Sequence, residues 1–290
     1  MSRNYSDLRD HPSAALRVPP GFSIAGFDKH STPGFDGNKE DGIERMEARG
    51  RDLAILQEQL FAEGRSGGRR SVLLVLQGMD TAGKGGIVRH VIGMVDPQGV
   101  EHASFAAPTK EELSHHFLWR IERKIPSAGS IGVFDRSHYE DVLVAKVREF
   151  APPEEIEARY GEINEWEQRL IDHGTTIVKA TLLVSLDEQL DRLESRLHRP
   201  DKYWKYSTSD LDDRARWTDY RDAYEAMFER TSTDAAPWHV IPADRKWFAR
   251  LAMTELLCEA LEGMSLQWPP AAFDVDAERA RIDVLREAGK

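Results

Sequence analysis

The chain has a single cysteine, Cys258, among 290 residues. One thiol cannot close an internal disulfide, which suits a reducing compartment. Cys258 falls in a helical pattern with Trp247, Leu251 and Leu261 and is read as a small core residue. There is no excess of positive charge. Lys and Arg number 39 against 50 Asp and Glu, for a net charge of −11. That balance argues against a general nucleic-acid binder but permits a local basic channel. No apolar run approaches the roughly 18 residues needed to span a membrane. The opening residues, through Pro20, carry no apolar stretch of the signal-peptide kind. The expectation is a cytoplasmic protein without a membrane or nucleic-acid partner. Histidines show no metal-site spacing and no Cys/His cluster occurs, which argues against structural zinc. Neither an internal repeat nor an interdomain linker is visible.

Enough apolar material is present for a packed core, with 40 % hydrophobic residues. Residues 1–42 are rich in Pro, Gly, Ser and Asp and read as an arm, ordered only if it docks. Helical spacing of Ile43, Met46, Leu53, Leu56 and Leu60 predicts a helix over 43–63. SVLLVLQ (71–77) is a continuous apolar run, the mark of a strand buried on both faces. Further strands are expected at 101–105, 130–134, 175–186 and 238–243. Helices are expected from Thr109 to about Lys124, opened by a Thr109/Glu112 capping box, and over 138–150, 154–172, 187–198, 210–231 and 244–264. The charged tail, 265–290, is read as peripheral. Strands alternating with helices imply an α/β fold with a mostly parallel sheet.

The sharpest signal is QGMDTAGKGG (77–86). Gly78, Gly83 and Lys84 stand at phosphate-loop spacing, after a strand and before a helix, which is the context that motif requires. Ala82, Gly85 and Gly86 complete the candidate cradle. Glycines let consecutive N–H groups point inward at phosphate oxygens, the helix adds its positive end, and Lys84 adds a full charge. The position after the lysine, usually a metal-ligating Ser or Thr, is Gly85. A metal must therefore find other oxygens, and Asp80 within the loop is the candidate. A carboxylate facing phosphate is repulsive unless a cation lies between them or it acts as a base, so Asp80 suggests Mg²⁺.

Asp135 and Arg136 follow a second apolar strand, and ligands of parallel sheets bind at strand carboxyl ends. Asp135 is a second metal candidate or a helix N-cap. Arg136 clamps phosphate or pairs with an acid, and Glu140 is a candidate outer acid. Arg120 contacts an acceptor phosphate or belongs to a solvated helix face. In the segment 187–207, Leu186, Leu190, Leu193 and Leu197 are spaced to face the core, and Arg192, Arg196 and Arg199 form a basic stripe. Glu188 can neutralise Arg192 as an i,i+4 pair. Arg196, Arg199, Lys202 and Lys205 then make a cationic flap, a lid over about 192–231 that could close on phosphates.

Taken together, residues 73–100, FLWR (117–120), IGVFDRSHYEDVLV (131–144), RPDKYWKYS (199–207) and DRKWFARL (244–251) resemble the type 2 polyphosphate kinase family. The resemblance spans roughly 45–264. It implies a three-layer α/β phosphate-loop kinase fold with a helical lid. It further implies Mg²⁺-dependent phosphoryl transfer between inorganic polyphosphate and a nucleoside mono- or diphosphate: AMP or ADP to ATP, or GDP to GTP. Asp80, Lys84, Asp135 and Arg136 match the family's active-site motifs, with Asp80 and Asp135 holding metal, and Arg196 and Arg199 match its lid arginines. A homodimer or homotetramer is implied. DPQGV, FLWR and RSHYED resemble the subgroup that phosphorylates AMP and ADP, whereas Asp135 resembles the subgroup acting on diphosphates. The alternatives are an ATP-using nucleotide kinase and a nucleotide-binding regulatory NTPase.

Overall fold

The computed structural model describes residue 8 and residues 11–289. The expected arm thus falls partly outside the described residues, at 1–7, 9 and 10, as does Lys290 of the tail. Beyond them the arm docks. A short helix, α1 (Pro12–Leu16), leads to Arg17, which bridges His239 in antiparallel fashion. Leu8, Ala15, Leu16, Val18 and Ile24 are buried, and this burial orders a segment that has no periodicity of its own.

Helix α2 (Lys39–Arg65) starts four residues before the expected Ile43. Asn38 and Asp41 close a reciprocal capping box there, satisfying donors that a helix start leaves orphaned. Strand β1 (Ser71–Gly78) is buried at all eight positions. The phosphate-loop segment leads into α3 (Lys84–His90), and β2 (Val100–Ser104) follows. The helix expected from Thr109 to Lys124 is not continuous. The Thr109/Glu112 box forms, with bonds of 2.7 and 3.2 Å, but it opens only a 3-10 turn, Glu112–Ser114. His115 is extended and a four-residue helix, α4 (Trp119–Glu122), resumes later. The turn buries nothing, so there is no packed apolar face to carry a longer helix.

Strand β3 (Ile131–Asp135) is followed by a 3-10 turn, His138–Asp141, and by α5 (Val144–Val147), instead of the single helix expected over 138–150. Here tertiary burial wins over propensity: Tyr139, Val142 and Leu143 are fully buried, and the chain bends to put them there. Helix α6 (Pro153–Asp172) and β4 (Thr175–Leu183) come next. The strand stops before Ser185, whose hydroxyl caps α7 (Leu186–Leu197). The leucines of α7 depart from expectation. Leu193 is buried, but Leu186, Leu190 and Leu197 are 38 %, 47 % and 49 % exposed. Helices α8 (Ser209–Ala215) and α9 (Trp217–Thr231) divide the expected 210–231 helix at Arg216, whose guanidinium donates to Val147 O. Strand β5 (Trp238–Pro242), α10 (Lys246–Glu262) and α11 (Val275–Ala288) complete the chain, and α11 buries no residue.

The five strands form one parallel sheet in the order β2-β3-β1-β4-β5. Alternation within β1 divides the core. Val72, Leu74 and Leu76 pack with residues of α2, α3 and α10, while Leu73 and Val75 pack with residues of α6 and α9. This is the three-layer α/β arrangement. Cys258 is buried in the first of these layers. Among the described residues no helix is long and apolar enough to cross a membrane.

Candidate active site

Parallel pairing sets all five strand carboxyl ends on one edge of the sheet. Asp135 closes β3 in register with Leu76 of β1, and Gly78 closes β1 in register with Leu182 of β4. The loop after β1 and the turn after β3 therefore leave the sheet side by side. Both carry a non-glycine residue in the left-handed region, Thr81 and Arg136, each with φ of 65°. Such conformations cost of order 1–3 kcal/mol and persist only where the surroundings impose them. Gly78 (φ 150°) could not be replaced freely, because a Cβ there would stand 2.9 Å from Leu182 O.

The two segments open on a cavity of about 1010 Å³. Asp80, Ala82, Gly83, Lys84, Gly85, Gly86, Asp135, Arg136, Arg196, Arg199, Lys202 and Lys205 all line it. Gly78 itself lies just behind, with its carbonyl accepting from Lys84 Nζ. Nine Lys/Arg face this space against five Asp/Glu, which reverses the charge balance of the chain as a whole.

Lys84 is half-buried. Desolvation, and then the positive charge of Arg136, hold its pKa below the ordinary lysine range, while Asp80 and Asp135 oppose that shift. Arg136 donates to Asp80 Oδ1 at 2.7 Å and lies 3.5 Å from Glu140 Oε2. It thus ties the phosphate-loop acid to the acid of the following turn. Burial pushes the Glu140 carboxyl up. Asp80 is also held through its backbone, whose carbonyl accepts from Gln189 Nε2 at 3.2 Å.

The basic flap is more internally paired than its spacing suggested. Arg196 donates to Lys205 O at 2.8 Å and to Asp210 at 3.2 Å. Arg199 and Lys202 both reach Asp201, at 2.9 and 3.4 Å. Lys205 Nζ lies 4.9 Å from the centroid of the Trp204 ring, and Trp204 is 78 % exposed on the cavity. Arg192 is buried and does not share the solvated stripe. It pairs with Glu188 at 2.6 Å and donates to Thr81 O, Ala82 O, Ala243 O and Asp244 O. Arg120 is not brought to this cavity. Its guanidinium, 7 % exposed, donates to Ala106 O at 2.9 Å and approaches Asp141 at 3.5 Å, beside a separate cavity of about 360 Å³.

Sequence reasoning missed His90, Asp191, Ser195, Asp210, Lys246 and Arg250, all of which line the main cavity. Lys246 and Arg250 stand at i and i+4 within DRKWFARL, so a helical reading of charge in that motif would have paired them. Among the described residues no group of three His, Cys, Asp or Glu is assembled to hold a metal. Asp80 and Asp135, both on the cavity, offer oxygen donors of the kind that would suit a hard divalent cation.

Residues 37–269 match the family model for polyphosphate kinase 2. Among curated relatives, the AMP/ADP-polyphosphate phosphotransferase of Meiothermus ruber is 44 % identical over 255 residues, covering 87 % of this chain and 94 % of that protein. The ADP-polyphosphate phosphotransferase of Rhodopseudomonas palustris is 40 % identical over 247 residues, covering 81 % and 84 %. The crystal structure of polyphosphate kinase 2 from Arthrobacter aurescens TC1 superposes with a TM-score of 0.92 at 56 % identity, covering 96 % of this chain and 98 % of that one. A glycine-rich turn between β1 and α3, acids just past β1 and at the end of β3, and a cationic cavity in an acidic body accompany this likeness along nearly the whole chain. The chain belongs to the polyphosphate kinase 2 family.

Proposed function

We propose that this protein transfers a phosphoryl group between inorganic polyphosphate and a nucleoside di- or monophosphate. The observation that carries the reading is the cavity itself. A half-buried lysine and a glycine-rich loop line a cavity together with a bank of cations, with Asp80 and Asp135 at its sheet-side edge. In the transfer, an oxygen of the nucleotide's terminal phosphate forms a bond to the end phosphorus of the polymer. The bridging P–O bond behind that phosphorus breaks, and the polymer leaves one unit shorter. The reverse reaction lengthens it. Lys84 and Arg136 neutralise charge on the moving group, and Arg196, Arg199, Lys202 and Lys205 hold the polyanion and exclude water. Asp80 and Asp135 would hold Mg²⁺, which when bound supplies charge neutralisation between donor and acceptor phosphates. Positioning and electrostatics supply the catalysis.

ADP and AMP are the acceptors this reading favours, supported by the names of the relatives; GDP is a further candidate. The body is assigned to 43–264, with a lid over about 192–231, an arm over 1–42 and a tail over 265–290. A homodimer or homotetramer acting in the cytoplasm completes the proposal. The assembly rests on the family resemblance, and light scattering on the purified protein measures it.

ATP formation from polyphosphate with ADP, AMP or GDP as separate acceptors, in the presence of Mg²⁺, tests the function. Lys84→Ala is expected to lower kcat about 100- to 1000-fold, the scale of losing a preorganised donor at a transferring group, while leaving the circular dichroism spectrum unchanged. Full activity in that folded variant would refute the assignment. Transfer from ATP with none from polyphosphate would give the protein to the ATP-using kinases. Tight nucleotide binding without transfer would make it a regulatory NTPase.

A further inference from the structure

The turn after β3 rests on a group of buried polar side chains that the transfer described above does not use. RSHYED places His138 and Tyr139 just past Arg136 and Ser137, and neither lines the main cavity. Tyr139 packs against Trp238 and His138 against Trp166, with ring centroids 4.8 Å apart in each pair. There they meet Glu167 of α6 and Lys179 of β4, whose side chains are 3 % and 0 % exposed. Tyr139 donates its hydroxyl to Glu167 Oε1 at 2.7 Å, and His138 Nε2 lies 3.3 Å from the same oxygen. Lys179 Nζ donates to Glu167 Oε2 at 2.6 Å, to Tyr139 Oη at 3.1 Å and to Thr231 O at 2.6 Å.

Stability alone gives this cluster little reason to be polar. Burial works against the charge on Glu167, but Lys179 and His138 outweigh it and hold the carboxyl below its ordinary range. Apolar residues of similar volume in place of a buried ion pair commonly leave a protein as stable or more so. What the polar partners add is direction. Hydrogen bonds fix where the Tyr139 hydroxyl sits, whereas apolar contact alone lets a turn shift. The turn needs that direction, because Arg136 is held in the left-handed region at φ 65°. On the β1 side, Arg136 N donates to Leu76 O at 3.1 Å, and the Gln77 side-chain amide bonds to the buried Ser137 hydroxyl at 2.9 Å. On the other side Glu167 holds Tyr139 and His138. Arg136, between these two anchors, donates to Asp80 Oδ1 at 2.7 Å and lines the main cavity.

We propose that Glu167 and Lys179 are positioning residues for the transfer: through Tyr139 and His138 they lock the turn after β3 and so aim the Arg136 guanidinium into the cavity beside Asp80. The proposal rests on the phosphoryl-transfer reading above. None of the four residues lines the cavity, so each acts through Arg136 and touches no substrate.

The test measures ATP formation from ADP at varied polyphosphate. It compares the wild type, Tyr139→Phe, Glu167→Gln and the apolar triple Tyr139→Phe/Glu167→Met/Lys179→Met. Arg136→Lys is measured alone and combined with Tyr139→Phe. Absence of wild-type transfer would remove the function and this inference with it, whereas every later outcome bears on the inference alone. Given that transfer, Tyr139→Phe is expected to lower kcat about tenfold and Glu167→Gln about 100-fold, the scale of a misplaced group at a reacting centre. KM for polyphosphate should stay within about twofold, because the flap cations stand on α7 and the turn Pro200–Lys205. The apolar triple should keep the wild-type urea midpoint and still show the lowered kcat. Wild-type kcat in the folded triple would mean that the single variants lost activity only through stability, and would overturn the proposal. With Arg136→Lys in place, Tyr139→Phe should cost about twofold or less, since both act through one group. A full additive loss in that background would place the cluster's effect elsewhere and overturn the proposal. Unchanged kcat in folded Tyr139→Phe and Glu167→Gln would do the same. So would a rise in KM for polyphosphate that matches the fall in kcat, the mark of a cavity loosened as a whole. Tyr139→Phe removes one oxygen and keeps the ring packed, so the test stays readable even where the triple fails to fold.

Discussion

Arg192 shows how one side chain shapes the phosphate loop without lining up with its neighbours in sequence. Its Nε goes to Glu188, one turn back, and this pairing is visible in the spacing. Its remaining donors reach carbonyls 51 to 111 residues away, in the phosphate loop and after β5. No periodicity encodes such partners. Removing the guanidinium would take this donor from the buried carbonyls of Thr81, Ala82 and Ala243 and leave Glu188 with Lys246 alone, 3.8 Å away. Arg192→Ala is therefore expected to lower unfolding stability by about 2–4 kcal/mol in urea titrations. Arg192→Lys, which keeps the charge but not the planar fork, should recover only part of that loss. Equal stability of wild type and Arg192→Ala would show that the brace is dispensable. The same reasoning explains Arg120. FLWR marks it as a motif residue, yet burial and the carbonyl of Ala106 draw it away from the main cavity.

Among the elements, β5 shows what an edge strand needs. The arm covers part of it, with Val18 N donating to Trp238 O and Arg17 bridging His239. His239 is buried between the arm and β4, its Nδ1 3.0 Å from Lys179 O and its Nε2 2.8 Å from Ser13 Oγ. Burial is the main cause that pushes its pKa down, to about 4 from 6.5. The unfolded chain then binds a proton between those values that the folded chain refuses. This contribution to stability is complete above pH 6.5, declines as pH falls toward 4, and changes no further below that. At its full size it amounts to about 3 kcal/mol. Urea titrations of the wild type and His239→Gln from pH 7 to 4 should show a shallower decline for the variant. Parallel curves would mean that His239 carries none of the pH dependence. The long elements, α2, β1, α6 and α10, were legible because each buries a continuous stripe or face. The short ones were not: after β3 the packing of Tyr139, Val142 and Leu143 bends the chain within one turn, and after β2 the turn Glu112–Ser114 buries no face that could extend a helix.

The molecule as a whole sets an acidic exterior against a cationic cavity. Binding of a polyanion there should be strongly screened. Raising salt from about 0.05 to 0.5 M is expected to raise KM for polyphosphate at least tenfold and KM for ADP far less, because the polymer engages more cations. Equal sensitivity of the two substrates would argue that the bank of cations does not hold the donor. The sequence by itself determined the α/β class, the buried central strand, the glycine-rich turn with its lysine after that strand and the acid at the end of β3. Each is written in local terms: an apolar run, a glycine spacing, a residue just past a strand. It also carried enough joint motifs to indicate the family. Only the tertiary structure decided which cations face the cavity, which are absorbed by Glu188, Asp201 and Asp210, and that α10 supplies a wall. Those outcomes depend on carbonyls and carboxylates brought together from distant parts of the chain, and a side chain's charge is fixed by its type while its partner is fixed by the fold.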